Sequence, residues 1–387
     1  MFNGFEIDML SLGDADCLVV TEWNSQYGPC RVLIDGGCSS DAGVIKDFLL
    51  GRGYNHFYAV LCTHAHDDHA SGLIELVKDP AFTFTNAWMH DINSHISAYS
   101  LRSASAGNSS QAEGVRQVIE TTKELAGAFS SRGLVPREPF AGEYISTSWP
   151  HLVVLGPSRP FYKNVLADFT KVDVPNSFLS SGLWAAGAQA GLAGKPASLS
   201  SLEWLLSQPP AKYPSIFAPP TENLSMQVPL AGLLGNSSVK ETPTTQPFNN
   251  TSVILGSIFG GNRLLFTADA GADALDDVAP EWKSLTWMQV PHHGSEGNLS
   301  QTNIERFHPK NAYISCCGDS SHPSRAIVSG LIKAGAQVFS THQSGHLCFS
   351  LGNVPPRGGY SPAVPLKGTG NPEPVFNWLA GWAGTTR

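Results

Sequence analysis

Charged residues are scarce in this chain. Lys, Arg, Asp and Glu make up 14% of 387 residues, and 24 basic against 32 acidic side chains leave a formal net charge of −8. That balance argues against the broad basic surface with which proteins hold duplex nucleic acid. It leaves room for a small anionic substrate if bound cations supply the local positive charge. No apolar run approaches the ~18 residues that a membrane helix needs, so no membrane partner is expected. The strand-like FEIDML near the N-terminus has no basic n-region before it, and secretion is not indicated. The seven cysteines are scattered and odd in number, do not form the framework of a secreted disulfide scaffold, and never fall in a CxxC metal pattern. A reduced, cytoplasmic protein is the expectation.

What the chain does have is an unusual concentration of ligand-type side chains in YAVLCTHAHDDHASG, residues 58 to 72. Tyr58 to Cys62 reads as a buried strand, and Gly72 followed by Leu73, Ile74, Leu76 and Val77 reads as the apolar face of a helix. The His/Asp cluster between them is expected to form a strand-to-helix loop. Its spacing lets His64 and His66 aim imidazole nitrogens at one cation while Asp68 and His69 aim at a second beside it. Imidazole and carboxylate suit zinc, and manganese or iron accept the same set.

Around this stretch the hydrophobic period alternates between about 2 and about 3.6, the βα alternation of a layered α/β fold. Strands are expected at Phe5 to Met9, Cys17 to Thr21, Arg31 to Ile34 and Asn86 to His90, with helices at Asp41 to Leu50 and Gly114 to Phe129. The Gly36-Gly37 pair suits a backbone that turns sharply or closely approaches a site. His151 opens a short strand ending at Gly156-Pro157. From 158 to 247 the pattern gives way to Ala, Gly, Ser and Pro, read as an insertion that covers the site with Phe178, Trp184, Trp204 and Phe217. Order returns with strands at Asn249 to Leu255, Arg263 to Asp269, Leu285 to Val290 and Ala312 to Cys317, and the last 35 or so residues are Pro- and Gly-rich. His90 and His95 lie in or just after a strand, where most histidines are not ligands. His342 and His346 flank a turn and are expected at the surface.

The run His64-x-His66-x-Asp68-His69 resembles the signature of the metallo-β-lactamase-fold hydrolases. With Asp16 in LSLGDADC, Asp35 in IDGG, the strand ending LGPS, NNTSVIL, Asp269 in LLFTADAG, VPHHGS and SSHPS, the chain resembles one branch more specifically. That branch is the metallo-β-lactamase-like domain of the ComEC/Rec2 competence proteins and its stand-alone relatives, over about 260 residues. The first motif departs from the usual Gly-Gln-Gly-Asp form, reading Gly13-Asp14-Ala15-Asp16, and His66 stands where many members have Asp. The resemblance implies an αββα four-layer sandwich with a large insertion: 1–157 as the N-terminal half, 158–247 as the insertion or lid, 248–352 as the C-terminal half and 353–387 as a C-terminal extension.

It also implies two divalent ions, zinc first and manganese second, held by His64, His66, Asp68, His69, Asp269 and one of His292 and His293. Adjacent residues on an extended segment point opposite ways, so the other of this pair faces substrate or packs. His151 is the available candidate for a third-motif ligand. Asp16 and Asp35 are expected to brace the site, Asp269 to bridge the ions, and Asp68 and His322 to serve catalysis, His322 by protonating the leaving group. A metal-bound hydroxide then cleaves a phosphodiester, as in a nuclease or nucleotide phosphodiesterase. The alternatives are hydrolysis of an ester, lactone, amide or thioester, or a role as interaction subunit of a DNA uptake or defence assembly. Expected partners are a nucleic acid or nucleotide substrate and a protein that delivers DNA.

Overall fold

The computed structural model describes residues 2–97, 104–105, 109–146, 151–169, 238–319, 321–356 and 358–367. Two sheets dominate it. The first has strand order β13-β1-β2-β3-β4-β5, built from β1 (Asn3–Met9), β2 (Leu18–Asn24), β3 (Gly28–Ile34), β4 (His56–Leu61), β5 (Thr83–Trp88) and β13 (Leu347–Asn353). The second runs β12-β11-β10-β9-β8-β7-β6, from β6 (Tyr144–Ser146), β7 (Leu152–Gly156), β8 (Ile254–Phe259), β9 (Asn262–Phe266), β10 (Trp287–Gln289), β11 (Asn311–Ile314) and β12 (Gln337–Ser340). As expected, the strands that feed Asp35 and Cys62 share one sheet, and those that feed Asp269 and His292 share the other.

Alternation along the strands dictates the layers. On β1, Phe5, Ile7 and Met9 face inward and meet Leu255, Leu264, Phe266 and Trp287 of the opposite sheet. The outer face of the first sheet buries Val19, Leu33 and Val60 against α1 (Ala42–Gly51), α2 (Asp67–Lys78) and α3 (Ser110–Ser131). The outer face of the second buries Leu265, Met288 and Val338 against α5 (Ala272–Asp276), α6 (Gln301–Phe307) and α7 (Arg325–Lys333). The result is the expected αββα sandwich.

Several expectations need correction. The His/Asp cluster is only half a loop, because α2 begins at Asp67 with His66 as an extended N-cap. Asp67 and Asp68 lie in its first turn, where carboxylates suit the positive end of the helix dipole. The segment Pro247–Thr251 is a 3-10 turn and the strand starts only at Ile254. Within the expected insertion, α4 (Arg159–Phe169) is a regular helix whose Tyr162, Val165, Leu166 and Phe169 are buried. Phe178, Trp184, Trp204 and Phe217 lie outside the described residues. His342 and His346 are half-buried: His346 Nδ1 accepts from the Ser11 N–H at 2.9 Å, and His342 Nδ1 lies 3.3 Å from Cys316 Sγ. The first part of the C-terminal extension is tied to the body, with the Tyr360 hydroxyl on Asp8 and the Leu366 N–H on the Val338 carbonyl at 2.7 Å.

The site depends on how closely α2 sits on the end of β3. A Cβ on Gly72 would lie 2.0 Å from the Gly36 oxygen and 2.6 Å from the Cys38 oxygen, both backbone atoms that cannot swing away. Gly72→Ala therefore must push α2, and with it Asp68 and His69, off the sheet. We expect a loss of about 3 kcal/mol in urea unfolding, at the upper end of overpacking costs. A loss under about 0.5 kcal/mol, the size of an ordinary surface change, would contradict this packing.

Candidate metal centre

Strand ends from both sheets converge to build the site. Asp35 follows β3, His64 follows β4, Asp269 follows β9, and His292 and His293 follow β10. Asp35 is buried and acts on the cluster from behind. Its carboxylate accepts from the Thr63 N–H at 2.7 Å, the Thr63 hydroxyl at 2.6 Å and His69 Nδ1 at 2.8 Å. With Nδ1 so occupied, His69 turns Nε2 toward the centre.

Asp16 joins the two halves of the chain. Its N–H donates to the Asp68 carbonyl at 3.1 Å, while its carboxylate accepts from Gln289 Nε2 at 2.8 Å and from the Ser315 hydroxyl. The Ser315 carbonyl in turn accepts from His293 Nδ1 at 3.0 Å, aiming His293 Nε2 inward. Asn298 does the same for its neighbour, accepting from His292 Nδ1 at 2.9 Å while donating to the Asp269 carbonyl at 2.7 Å.

Two ligand groups result. Asp68, His69, Asp269 and His293 present ligand atoms that all lie within 4.8 Å of one another, and so do His64, His66 and Asp269. Asp269 belongs to both groups. Its Oδ1 lies 3.3 Å from His69 Nε2, whereas its Oδ2 lies 3.7 Å from His64 Nε2 and 3.6 Å from His292 Nε2. Asp68 Oδ2 lies 3.4 Å from His293 Nε2 and 3.8 Å from His69 Nε2.

Both members of the histidine pair therefore face the centre, His293 beside Asp68 and His292 beside the His64 group. The segment is not extended as expected: His292 and His293 adopt φ of 48° and 57°, in the left-handed region, and the two rings stand beside different carboxylates. His151 is a second correction. It is half-exposed and lies 3.7 Å from Glu22, four residues into β2 from the end that carries Asp16, so it stands away from the cluster. His90 and His95 are also outside it, His90 on the Pro139 carbonyl at 3.0 Å and His95 on Glu138 at 2.6 Å. His322 sits at the rim, its ring centroid 5.8 Å from that of His292 and 5.9 Å from that of His293.

The donor set fits divalent cations on an observation independent of spacing. His69 Nε2 and Asp269 Oδ1 are buried 3.3 Å apart, close enough to pair if His69 is protonated, and neither makes a hydrogen bond of good geometry among the described residues. Each orphaned polar group costs about 1–3 kcal/mol unless something else satisfies it. The electrostatics agree. Burial holds His64 and His66 below the usual imidazole range, neutral and ready to ligate. Burial opposes protonation of His69 as well, but the Asp269, Asp68 and Asp35 carboxylates carry it well above that range. Burial likewise opposes His293, and Asp68, Asp269 and Asp16 raise it to about 9.

Those two raised groups hold protons at neutral pH that an incoming cation must displace. Cation uptake at pH 7 is thus expected to release protons, approaching two per chain, and affinity is expected to climb as pH rises toward about 9. Calorimetric titration in two buffers of different ionisation heat checks this. A binding heat that does not depend on the buffer would contradict it.

Sequence reasoning missed Thr63, Gln289, Asn298 and Ser315, which orient the ligands. None is a metal-ligand type, and only Thr63, adjacent to His64, stands inside a recognisable motif.

Residues 26–87 match the family model described as the metallo-beta-lactamase superfamily. A stretch of 118 residues, 29% of this chain, is 29% identical to ComE operon protein 3 of Bacillus subtilis (strain 168) and spans 15% of that relative's length. Among solved structures, a diphosphatase from the PhnP family is similar over 91% of this chain and 100% of its own, with TM-score 0.39 and 10% identity. A long form RNase Z from yeast is similar over 81% of this chain and 37% of its own, with TM-score 0.34 and 8% identity. Neither likeness is close enough to carry over a neighbour's chemistry. Over residues 26–87 the chain is similar to the metallo-beta-lactamase superfamily, and around that stretch it builds two facing sheets with a doubled His/Asp cluster at their strand ends, an αββα sandwich carrying a candidate metal centre.

Proposed function

We propose that the chain hydrolyses phosphodiester bonds, as a nuclease or nucleotide phosphodiesterase, with two divalent cations, zinc first and manganese second. The observation that carries this reading is Asp269, which presents one carboxylate oxygen to each ligand group. A paired centre suits in-line displacement at phosphorus, where attacking and leaving oxygens both need stabilisation. His69, His293 and Asp68 would hold one cation and His64, His66 and His292 the other. Bound by these residues, such cations would supply a lowered pKa for water and positive charge for the phosphoryl oxygens. His322, at the rim with its ring 5.8 Å from that of His292, would protonate the leaving oxygen.

The net charge of −8 bears on the substrate. Tight binding of long DNA draws on many Lys and Arg contacts to phosphates, which this composition does not favour. The substrate is accordingly a nucleotide, or a strand delivered by a protein partner. A pull-down from native lysate that returns only this chain would count against the partner.

The direct test offers the metal-loaded protein bis(p-nitrophenyl) phosphate beside p-nitrophenyl acetate. Turnover of the phosphodiester is expected. Hydrolysis of the acetate alone would replace this reading with an ester, lactone, amide or thioester hydrolase. No turnover of either would favour an interaction subunit.

A further inference from the structure

Asp14 occupies one of the two positions at which the first motif departs from the expected pattern, and its hydrogen bonds go to His322 and Cys317 rather than to the metal-ligand candidates. It reaches across the chain to His322. Asp14 Oδ2 accepts from His322 Nδ1 at 3.0 Å, and Oδ1 accepts from the Cys317 N–H at 2.8 Å. The Cys317 thiol adds a contact to Oδ2 at 3.2 Å. From the other side, Asp319 Oδ1 accepts the His322 N–H at 3.0 Å, so backbone and ring of His322 are pinned by different carboxylates. The side chains of His322 and Asp14 are 22% and 29% exposed, which places the pair at the edge of the cleft rather than in the core.

We propose that Asp14 is a positioning residue, fixing the His322 ring so that Nε2, and not Nδ1, faces the leaving group of the substrate. The inference rests on the phosphodiesterase reading for its chemistry but not for its geometry. A carboxylate on Nδ1–H fixes the tautomer of the neutral ring and stabilises the imidazolium form. In that form Nε2–H is the free acid. As the P–O bond to the leaving oxygen breaks, its electron pair goes to that oxygen and the Nε2 proton transfers to it. The N–H electron pair stays on nitrogen, and the neutral ring keeps its Nδ1–H on Asp14 until solvent returns a proton.

Asp14 itself is suited to remain a carboxylate. Burial pushes it up, but the hydrogen bonds from His322 and Cys317 outweigh this and hold it below the usual range. Glutamine at this position would offer a neutral amide that orients the ring without stabilising its cation.

The experiment compares the full chain with Asp14→Asn, Asp14→Ala and Asp14→Glu. Nitrogen-15 NMR of the metal-free protein reads the ring directly. The parent is expected to show His322 protonated at Nδ1 in its neutral form, and Asp14→Ala is expected to show a mixture tending to Nε2–H. With metal loaded, Asp14→Ala, which loses the orienting partner, and Asp14→Asn, which loses the charge that stabilises the ring's cation, should each lower kcat about 10- to 100-fold on a phosphodiester with an alkyl leaving group, KM holding steady. The loss should be at least about 10-fold smaller with a p-nitrophenolate leaving group, which departs without a proton. Asp14→Glu should restore part of the alkyl-substrate rate. Equal losses on both substrates, or an unchanged His322 tautomer in Asp14→Ala, would overturn the proposal. If the parent cleaves no phosphodiester, the functional reading fails, while the tautomer still judges the role of Asp14.

Discussion

Asp269→Ala is expected to strip both cations from the protein and to abolish turnover. Its two oxygens face different ligand groups, at 3.3 Å from His69 and at 3.7 Å from His64, and it is fully enclosed. Removing it deletes a residue from each group, and with it the carboxylate that lies within ion-pair distance of both His64 and His292. Several kcal/mol of charge stabilisation go with it, which corresponds to about 1,000-fold or more in rate. His66→Ala is the contrast. It lies in one group only, so metal content should fall toward half while the Asp68, His69 and His293 group still loads. Emission spectrometry on both purified variants checks this. An Asp269→Ala protein that keeps two ions and full turnover would mean that the cluster is not the reaction centre.

The second large effect belongs to His322. Its ring is close to His292 and His293 but belongs to neither ligand group, and its Nδ1 is taken by Asp14. His322→Ala should keep both cations and slow turnover about 100-fold or more, the scale of a lost general acid. The loss should shrink for substrates whose leaving group needs no proton. Loss of metal in this variant would make His322 a ligand.

Much of this architecture was legible before any coordinates. Short apolar runs ending in Asp35, Cys62, Asp269 and Val290 gave the strands, and because ligands sit where strands end, they placed the cluster as well. That Asp269 stands at a strand end could be read from its place after Phe266, and its membership of both ligand groups agrees with the bridging role that the family resemblance implies. What was not legible depends on backbone conformation and on pairings distant in sequence. The left-handed φ of His292 and His293 lets two neighbours face the same cavity, and nothing in Pro-His-His-Gly announces it. His151 looked well placed in sequence, but β7 brings it to Glu22, away from Asp16. Asp14 and His322 are 308 residues apart, so their contact exists only once both sheets have formed.

The most direct measurement is anomalous scattering at the zinc edge from crystals of the zinc-loaded protein. Two peaks are predicted, one among Asp68, His69 and His293, the other among His64, His66 and His292, with Asp269 between them. A single peak, or peaks remote from Asp269, would contradict the paired centre on which the proposed reaction stands.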